Sequence, residues 1–183
     1  KDGNAFSITP SDNSSQTPII PGLGCVASGR GSQNWAVPEH ASCVAPGKRP
    51  RLTPNPALAI KKGKATMPFG TPGGDVQCQA MTQCFLNVNV FGMEMQEAIE
   101  APRFATYSHP NSFEPHESDP GKIKVESRVP QAVRDELANR GHVVEDFPEL
   151  TRAAGAVCAI YRDEKARLFG AADPRRQSGM LGW

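Results

Sequence analysis

The chain has 183 residues, with 20 Lys and Arg against 19 Asp and Glu, giving a net charge of +1. That length suits one domain, and so even a balance excludes a generic polyanion binder and a chain kept disordered by self-repulsion. Gly and Pro number 17 each and Leu, Ile, Val and Phe together only 35, close to the roughly 20% line at which a core becomes thin. The balance describes a folded, loop-rich chain whose core is completed by another chain.

The opening Asp2-Gly3-Asn4 reads as a turn entering a strand over residues 4–9, where Phe6 and Ile8 alternate with Ala5, Ser7 and Thr9, so the chain is expected to start partway through an element. Residues 10–56 hold no convincing helix, being punctuated by eight prolines and the turn glycines Gly22, Gly24, Gly29 and Gly31. A loop of that length costs ordering entropy without much burial, which marks it as functional. Next comes a hairpin: arms 57–60 and 65–69, turn 61–64, and Pro68 placing the second arm at an edge or its own end.

A tight loop, Gly70-Thr71-Pro72-Gly73-Gly74, leads into Asp75, a helix N-cap for residues 76–91. A second helix over 93–101 is stopped by Pro102, and residues 105–122 read as surface loop. A strand at 123–127 and an amphipathic helix between Pro130 and Gly141 follow, with Val133 and Leu137 on its apolar side. Three more strands are expected, at 143–144, 156–161 and 167–171. No repeat or linker divides residues 1–183, which form one α/β-type unit of hairpins and helices.

The obvious chemical signals are weak. Lys48, Arg49, Arg51, Lys61, Lys62 and Lys64 stand in a stretch without acids, but no aromatic residue lies between Val37 and Pro68 to stack on bases. Nucleic acid is therefore not an expected partner. His40, His109, His116 and His142 show no metal-ligand spacing, and no metal or other cofactor is expected. The five cysteines are odd in number and contain no CxxC, so they read as free thiols of a reducing compartment, the cytoplasm over the periplasm or the outside. No run approaches the roughly 18 apolar residues of a membrane span, and no signal peptide opens the sequence. The strongest local signal is the Pro72-Gly73-Gly74 turn. A Gly-Gly turn feeding a helix start aims bare backbone N–H groups at one point, and without a Lys, beside Asp75, it suits a small oxyanion better than phosphate.

Several motifs then fall in register: Ala45-Pro46-Gly47-Lys48-Arg49-Pro50, Thr53-Pro54-Asn55-Pro56-Ala57-Leu58, Phe69 to Gly74, Glu100-Ala101-Pro102-Arg103-Phe104, and Gly170 to Arg176. With the opening Asp2-Gly3-Asn4-Ala5 they resemble the small, C-terminal subunit of the gamma-glutamyltransferase (gamma-glutamyltranspeptidase) family from end to end. The resemblance implies an α+β fold, the αββα sandwich of N-terminal-nucleophile hydrolases, completed by a large subunit cut from the same precursor zymogen by autocatalytic processing. It implies cleavage of gamma-glutamyl amides such as glutathione, with acyl transfer to water or amino acids through an N-terminal Thr. That Thr would precede Lys1, so it is not among these residues. Heterodimers, or dimers of them, are the implied assembly.

Carried over position by position, the resemblance gives Ser11 as the hydroxyl that bonds the nucleophile and Gly73 and Gly74 as the oxyanion-hole pair. It gives Asn13, and Arg30 or Gln33, as contacts to the substrate α-amino group. Leu52 and Thr53 stand where the family has a Ser-Ser grip on the α-carboxylate, so one hydroxyl is lost. The alternatives are an acylase or amidohydrolase for a different small-acid amide, favoured by Leu52, and a non-catalytic member that keeps only the fold.

Overall fold

The computed structural model describes residues 3–12 and 17–182. A short hairpin, β1 (Ile19–Ile20) and β2 (Cys25–Val26), and a 3-10 turn at Gly29–Gln33 are the only regular pieces described before residue 57. The main sheet follows, with strands β3 (Ala57–Lys61), β4 (Lys64–Gly70), β8 (Cys158–Arg162) and β9 (Leu168–Ala172) in that order and antiparallel throughout. Helices α1 (Val76–Asn89) and α2 (Met95–Glu100) pack on one face of it. A smaller sheet holds β5 (Phe104–Thr106), β6 (Lys122–Glu126) and β7 (Val143–Phe147), with α3 (Gln131–Asn139) as the crossover between the parallel pair β6 and β7.

The hairpin turn is tighter than the sequence suggests. Lys61 pairs with Lys64, and Lys62 and Gly63 both take positive φ (51° and 74°), the two-residue turn whose twist matches the strands. Pro68, however, does not put β4 at an edge: β4 lies inside the sheet. The β4–β8 ladder covers only Phe69 and Gly70 and ends short of Pro68, which has no N–H to give. The expected strand over residues 4–9 is likewise absent. This segment crosses the end of β4 with Ser7 Oγ donating to Phe69 O at 2.9 Å, and it joins no ladder.

Alternation decides the two faces of the main sheet. Ala57, Ala59, Met67, Phe69, Ala159, Tyr161 and Ala171 point to the helices and, with Val76, Ala80, Met81, Cys84, Ile99 and Val157, build the core. Leu58, Ile60, Ile160 and Leu168 point the other way and are 42, 65, 40 and 69% exposed. The α3 helix forms as its caps predict, but it buries no residue, and Val133 is exposed.

Below the sheets sits a buried ionic cluster. The Arg175 guanidinium grips Glu126 through Nε (2.7 Å) and Nη2 (2.6 Å) and Asp173 through Nη1 (3.1 Å). Arg103 reaches the other Asp173 oxygen at 2.7 Å and the Ile99 carbonyl at 2.8 Å. These bonds tie the end of β9 to β6 and to the end of α2, which orients both sheets against the helices. Hydrogen bonds to Glu126, together with the charge of Asp173, raise the Arg175 pKa despite the opposing effect of burial.

Candidate active site

The turn between β4 and α1 is held rigidly from outside. Thr71 is buried; its hydroxyl donates to Pro72 O (2.7 Å) and accepts from Ala156 N (2.6 Å), fixing the turn to the start of β8. Gly73 has φ +139°, and a Cβ there would meet Gly155 Cα at 3.5 Å. Gly74 has φ +60°, with Phe113 the nearest neighbour of a Cβ at 3.7 Å. The carbonyls of Gly73 and Gly74 accept from Val76 N and Gln77 N and so start the helix. The Gly73 N–H has no hydrogen-bond partner among the described residues. Asp75 occupies the N-cap position but makes no cap with its side chain. Its carboxylate instead accepts from Ser112 N (2.7 Å) and from the Ser112 hydroxyl, binding the turn to the 111–117 loop.

Gln77, in the first turn of α1 and 5% exposed, closes the turn from below. Its amide end lies against Thr71 O, Thr53 O and Gly74 N, and only with its oxygen turned to the Gly74 N–H (3.1 Å) and its nitrogen to Thr71 O (3.2 Å) and Thr53 O (2.9 Å) are all three satisfied. Sequence reasoning missed this residue, because a Gln at the start of a helix looks like any solvated polar residue.

Thr53 leads from the turn to the expected substrate contacts. Its hydroxyl accepts from Arg30 Nη1 at 3.1 Å, and the same nitrogen lies 3.4 Å from Gln33 Oε1. Arg30, Gln33 and Thr53 are thus brought together, in contact through Gln77 with Gly74. Arg30 is 2% exposed, and its Nε and Nη2 have no hydrogen-bond partner among the described residues. Among the described residues its closest acid is Asp12, 3.9 Å from Nε, which also accepts from the Ser28 hydroxyl at 2.6 Å. Ser11, just before Asp12, is exposed. Asn13 lies outside the described residues. Leu52 is 48% exposed and does not enter the core.

A second clasp joins the 3-10 turn to the 111–117 loop. Glu114 N donates to Ser32 O at 2.8 Å, and the Trp35 indole stacks between His40 and His116 with ring centroids 4.2 and 4.0 Å away. The Gly70–Asp75 turn therefore stands between two clefts. One, of about 490 Å³, is lined by residues 6–10 with Gly70, Thr71 and Pro72; the other, of about 480 Å³, by Gly73, Gly74, Tyr107, Arg152 and Arg176. Burial, and then the charge of Glu145, push the Tyr107 phenol above its usual range. Among the described residues no group of three or more His, Cys, Asp or Glu is placed to hold a metal, and no helix is long and apolar enough to cross a membrane.

The α+β fold and this turn take their meaning from comparison with known proteins. The family model described as gamma-glutamyltranspeptidase matches residues 1–183, and the chain belongs to that family. It is 33% identical to the oxamate amidohydrolase proenzyme of Klebsiella pneumoniae, covering 90% of this chain and 30% of that protein. It is 28% identical to the glutathione hydrolase proenzyme of Escherichia coli, over 96% of this chain and again 30% of the relative. Among solved structures it superposes on a chain of the gamma-glutamyltranspeptidase of Pseudomonas nitroreducens with a TM-score of 0.77 and 26% identity, covering 100% of this chain and 95% of that one. The chain thus spans about a third or less of the curated relatives it matches, which are proenzymes.

Proposed function

We propose that the protein to which this chain belongs cleaves amide bonds of gamma-glutamyl compounds, glutathione among them, and passes the acyl group to water or an amino acid. The nucleophile is a Thr released at the start of the small subunit, a few residues before Asp2. Its α-amine takes the hydroxyl proton as Oγ attacks the amide carbon. The carbonyl oxygen becomes an oxyanion beside the Gly73–Gly74 turn. Collapse breaks the C–N bond and the leaving amine takes the proton; water or an amine then attacks the acyl ester, giving its proton to the α-amine, which returns it to Oγ as the ester C–O bond breaks. Ser11 steadies the nucleophile; Asn13, Arg30, Gln33 and Thr53 hold the acyl group. The large subunit of the same precursor covers the outward face of the main sheet and completes the sandwich.

The observation that carries this reading is the Gly73–Gly74 turn at the start of α1, whose Gly73 N–H has no partner among the described residues and which lies beside the Thr53–Arg30–Gln33 group. One observation favours a second reading, an acylase or amidohydrolase for a different small-acid amide. The exposed, apolar Leu52 stands where a hydroxyl should grip the α-carboxylate, and a buried cation at Arg30 disfavours a substrate ammonium. Similarity to an oxamate amidohydrolase is in keeping with it. Steady-state kinetics of the full-length protein on a gamma-glutamyl anilide, the matching glutaryl anilide and oxamate separate the two. The first reading expects the highest kcat/KM on the gamma-glutamyl compound. A preference for either of the others overturns it in favour of the second, and no turnover of any amide rejects both.

A further inference from the structure

We propose that the His116 side chain is a proton-operated clasp: as an imidazolium it fastens the 111–117 loop to the 3-10 turn, and loss of its proton releases that loop. The inference goes beyond the amide-cleaving reading and does not depend on it. Both ring nitrogens face oxygen atoms. Nδ1 lies 2.8 Å from Asn111 O, and Nε2 lies 3.1 Å from Asn34 O and 3.2 Å from the Glu114 carboxylate. A neutral imidazole has one N–H and one lone pair, so either tautomer sets a lone pair against a carbonyl oxygen. Only the cation donates on both sides. The side chain is 5% exposed, which leaves little room for water to replace a missing bond.

Trp35 favours the same form. Its indole lies parallel to the His116 ring, with 3° between the planes and 4.0 Å between centroids, and presents the electron-rich face that attracts a cation. His40 covers the other face at 4.2 Å and makes the opposite demand: its Nδ1 accepts from Ser42 N–H at 3.0 Å, which an imidazolium cannot do. One charged and one neutral ring thus flank the indole. Glu114, whose carboxylate faces His116, favours the charge, while Glu117 turns its main-chain oxygen to Asn111 N–H at 2.8 Å. The fastened loop reaches both halves of the candidate site. Its Ser112 holds the Asp75 carboxylate and its Phe113 stands beside Gly74, while Glu114 N donates to Ser32 O in the turn that carries Arg30 and Gln33. Closure requires the proton and the open loop does not, so closing takes up a proton and weakens as pH rises.

Hydrogen–deuterium exchange of the full-length protein, read by mass spectrometry on the 111–117 segment, tests this. Rates are taken across the histidine range, roughly pH 5 to 8, and divided by the intrinsic rate at each pH. Wild-type protection should fall on the order of ten-fold toward the alkaline end as a charged hydrogen bond is lost. His40→Phe keeps a ring on its face of Trp35 and should retain that fall. Glu114→Gln removes the carboxylate that favours the cation, so the fall should move to lower pH. His116→Phe keeps a stacking ring without either nitrogen, and its protection should be low and independent of pH. If His116→Phe does not fold, the wild-type and Glu114→Gln profiles decide. Protection that is flat in the wild type, a fall that is lost in His40→Phe, one unmoved in Glu114→Gln, or one that persists in His116→Phe would each overturn the clasp.

Discussion

At Gly73 the backbone stands at φ +139°, outside the region any L side chain adopts readily, although a Cβ would meet the Gly155 backbone only at ordinary contact distance. Gly74, at φ +60°, lies in the left-handed region, where a side chain costs only about 1–2 kcal/mol, and its neighbour is the edge of Phe113. The two positions should therefore respond differently. Gly73→Ala should reduce kcat by about 10²-fold or more through displacement of the donor, and Gly74→Ala by clearly less; steady-state kinetics of both variants check this, and equal losses would contradict it. Leu52 permits a second prediction at this scale. It is half exposed beside Thr53, so Leu52→Ser can add a hydroxyl without opening a cavity. On a gamma-glutamyl anilide it should lower KM more than it raises kcat, the signature of a restored ground-state contact. An unchanged or higher KM would place the carboxylate elsewhere.

Among the elements, the ionic cluster under the sheets decides stability. Arg175 and Glu126 are both fully buried in their side chains, so removing Arg175 strips Glu126 Oε1 of its guanidinium bond where water cannot replace it and leaves the carboxylate with Arg128 and the Arg103 N–H alone. Arg175→Met should cost about 3–5 kcal/mol, seen as a lower denaturation midpoint of the full-length protein; a shift below one kcal/mol would mean that the surrounding backbone bonds carry the joint. The hairpin and helices of this region were legible in the sequence because period and caps are local: Lys62-Gly63 for the turn, Pro130 and Gly141 around α3. The segment at 4–9 was not, because alternation is only half of a strand. The other half is a ladder partner, and the chain described here offers it only the side-chain bond of Ser7 to Phe69. Pro68 misled for the opposite reason: a proline forbids a ladder bond only on the side its nitrogen faces, and which side that is depends on register with β8. Asp75 shows the same limit, since an N-cap pattern cannot reveal that Ser112, 37 residues away, claims the carboxylate.

On the scale of the whole molecule, the outward face of the main sheet matters most. Leu58, Ile60, Ile160 and Leu168 form an apolar surface of a kind that folded chains rarely leave bare. The thin apolar composition announced it, and the strand register shows where it lies. Produced alone, residues 1–183 should be insoluble or lack a cooperative thermal transition, whereas co-production with the rest of the precursor should give one; calorimetry of the two preparations checks this, and a sharp transition of the isolated chain would contradict the two-chain core. What no sequence pattern within these residues could deliver is the nucleophile, which in this account precedes Lys1. Intact-mass spectrometry of the full-length protein, quenched during turnover of a gamma-glutamyl or glutaryl anilide, addresses that point most directly. The account predicts two chains, with the acyl mass on an N-terminal Thr of the chain that contains these residues. A single uncut chain, or an adduct on any other residue, would contradict it.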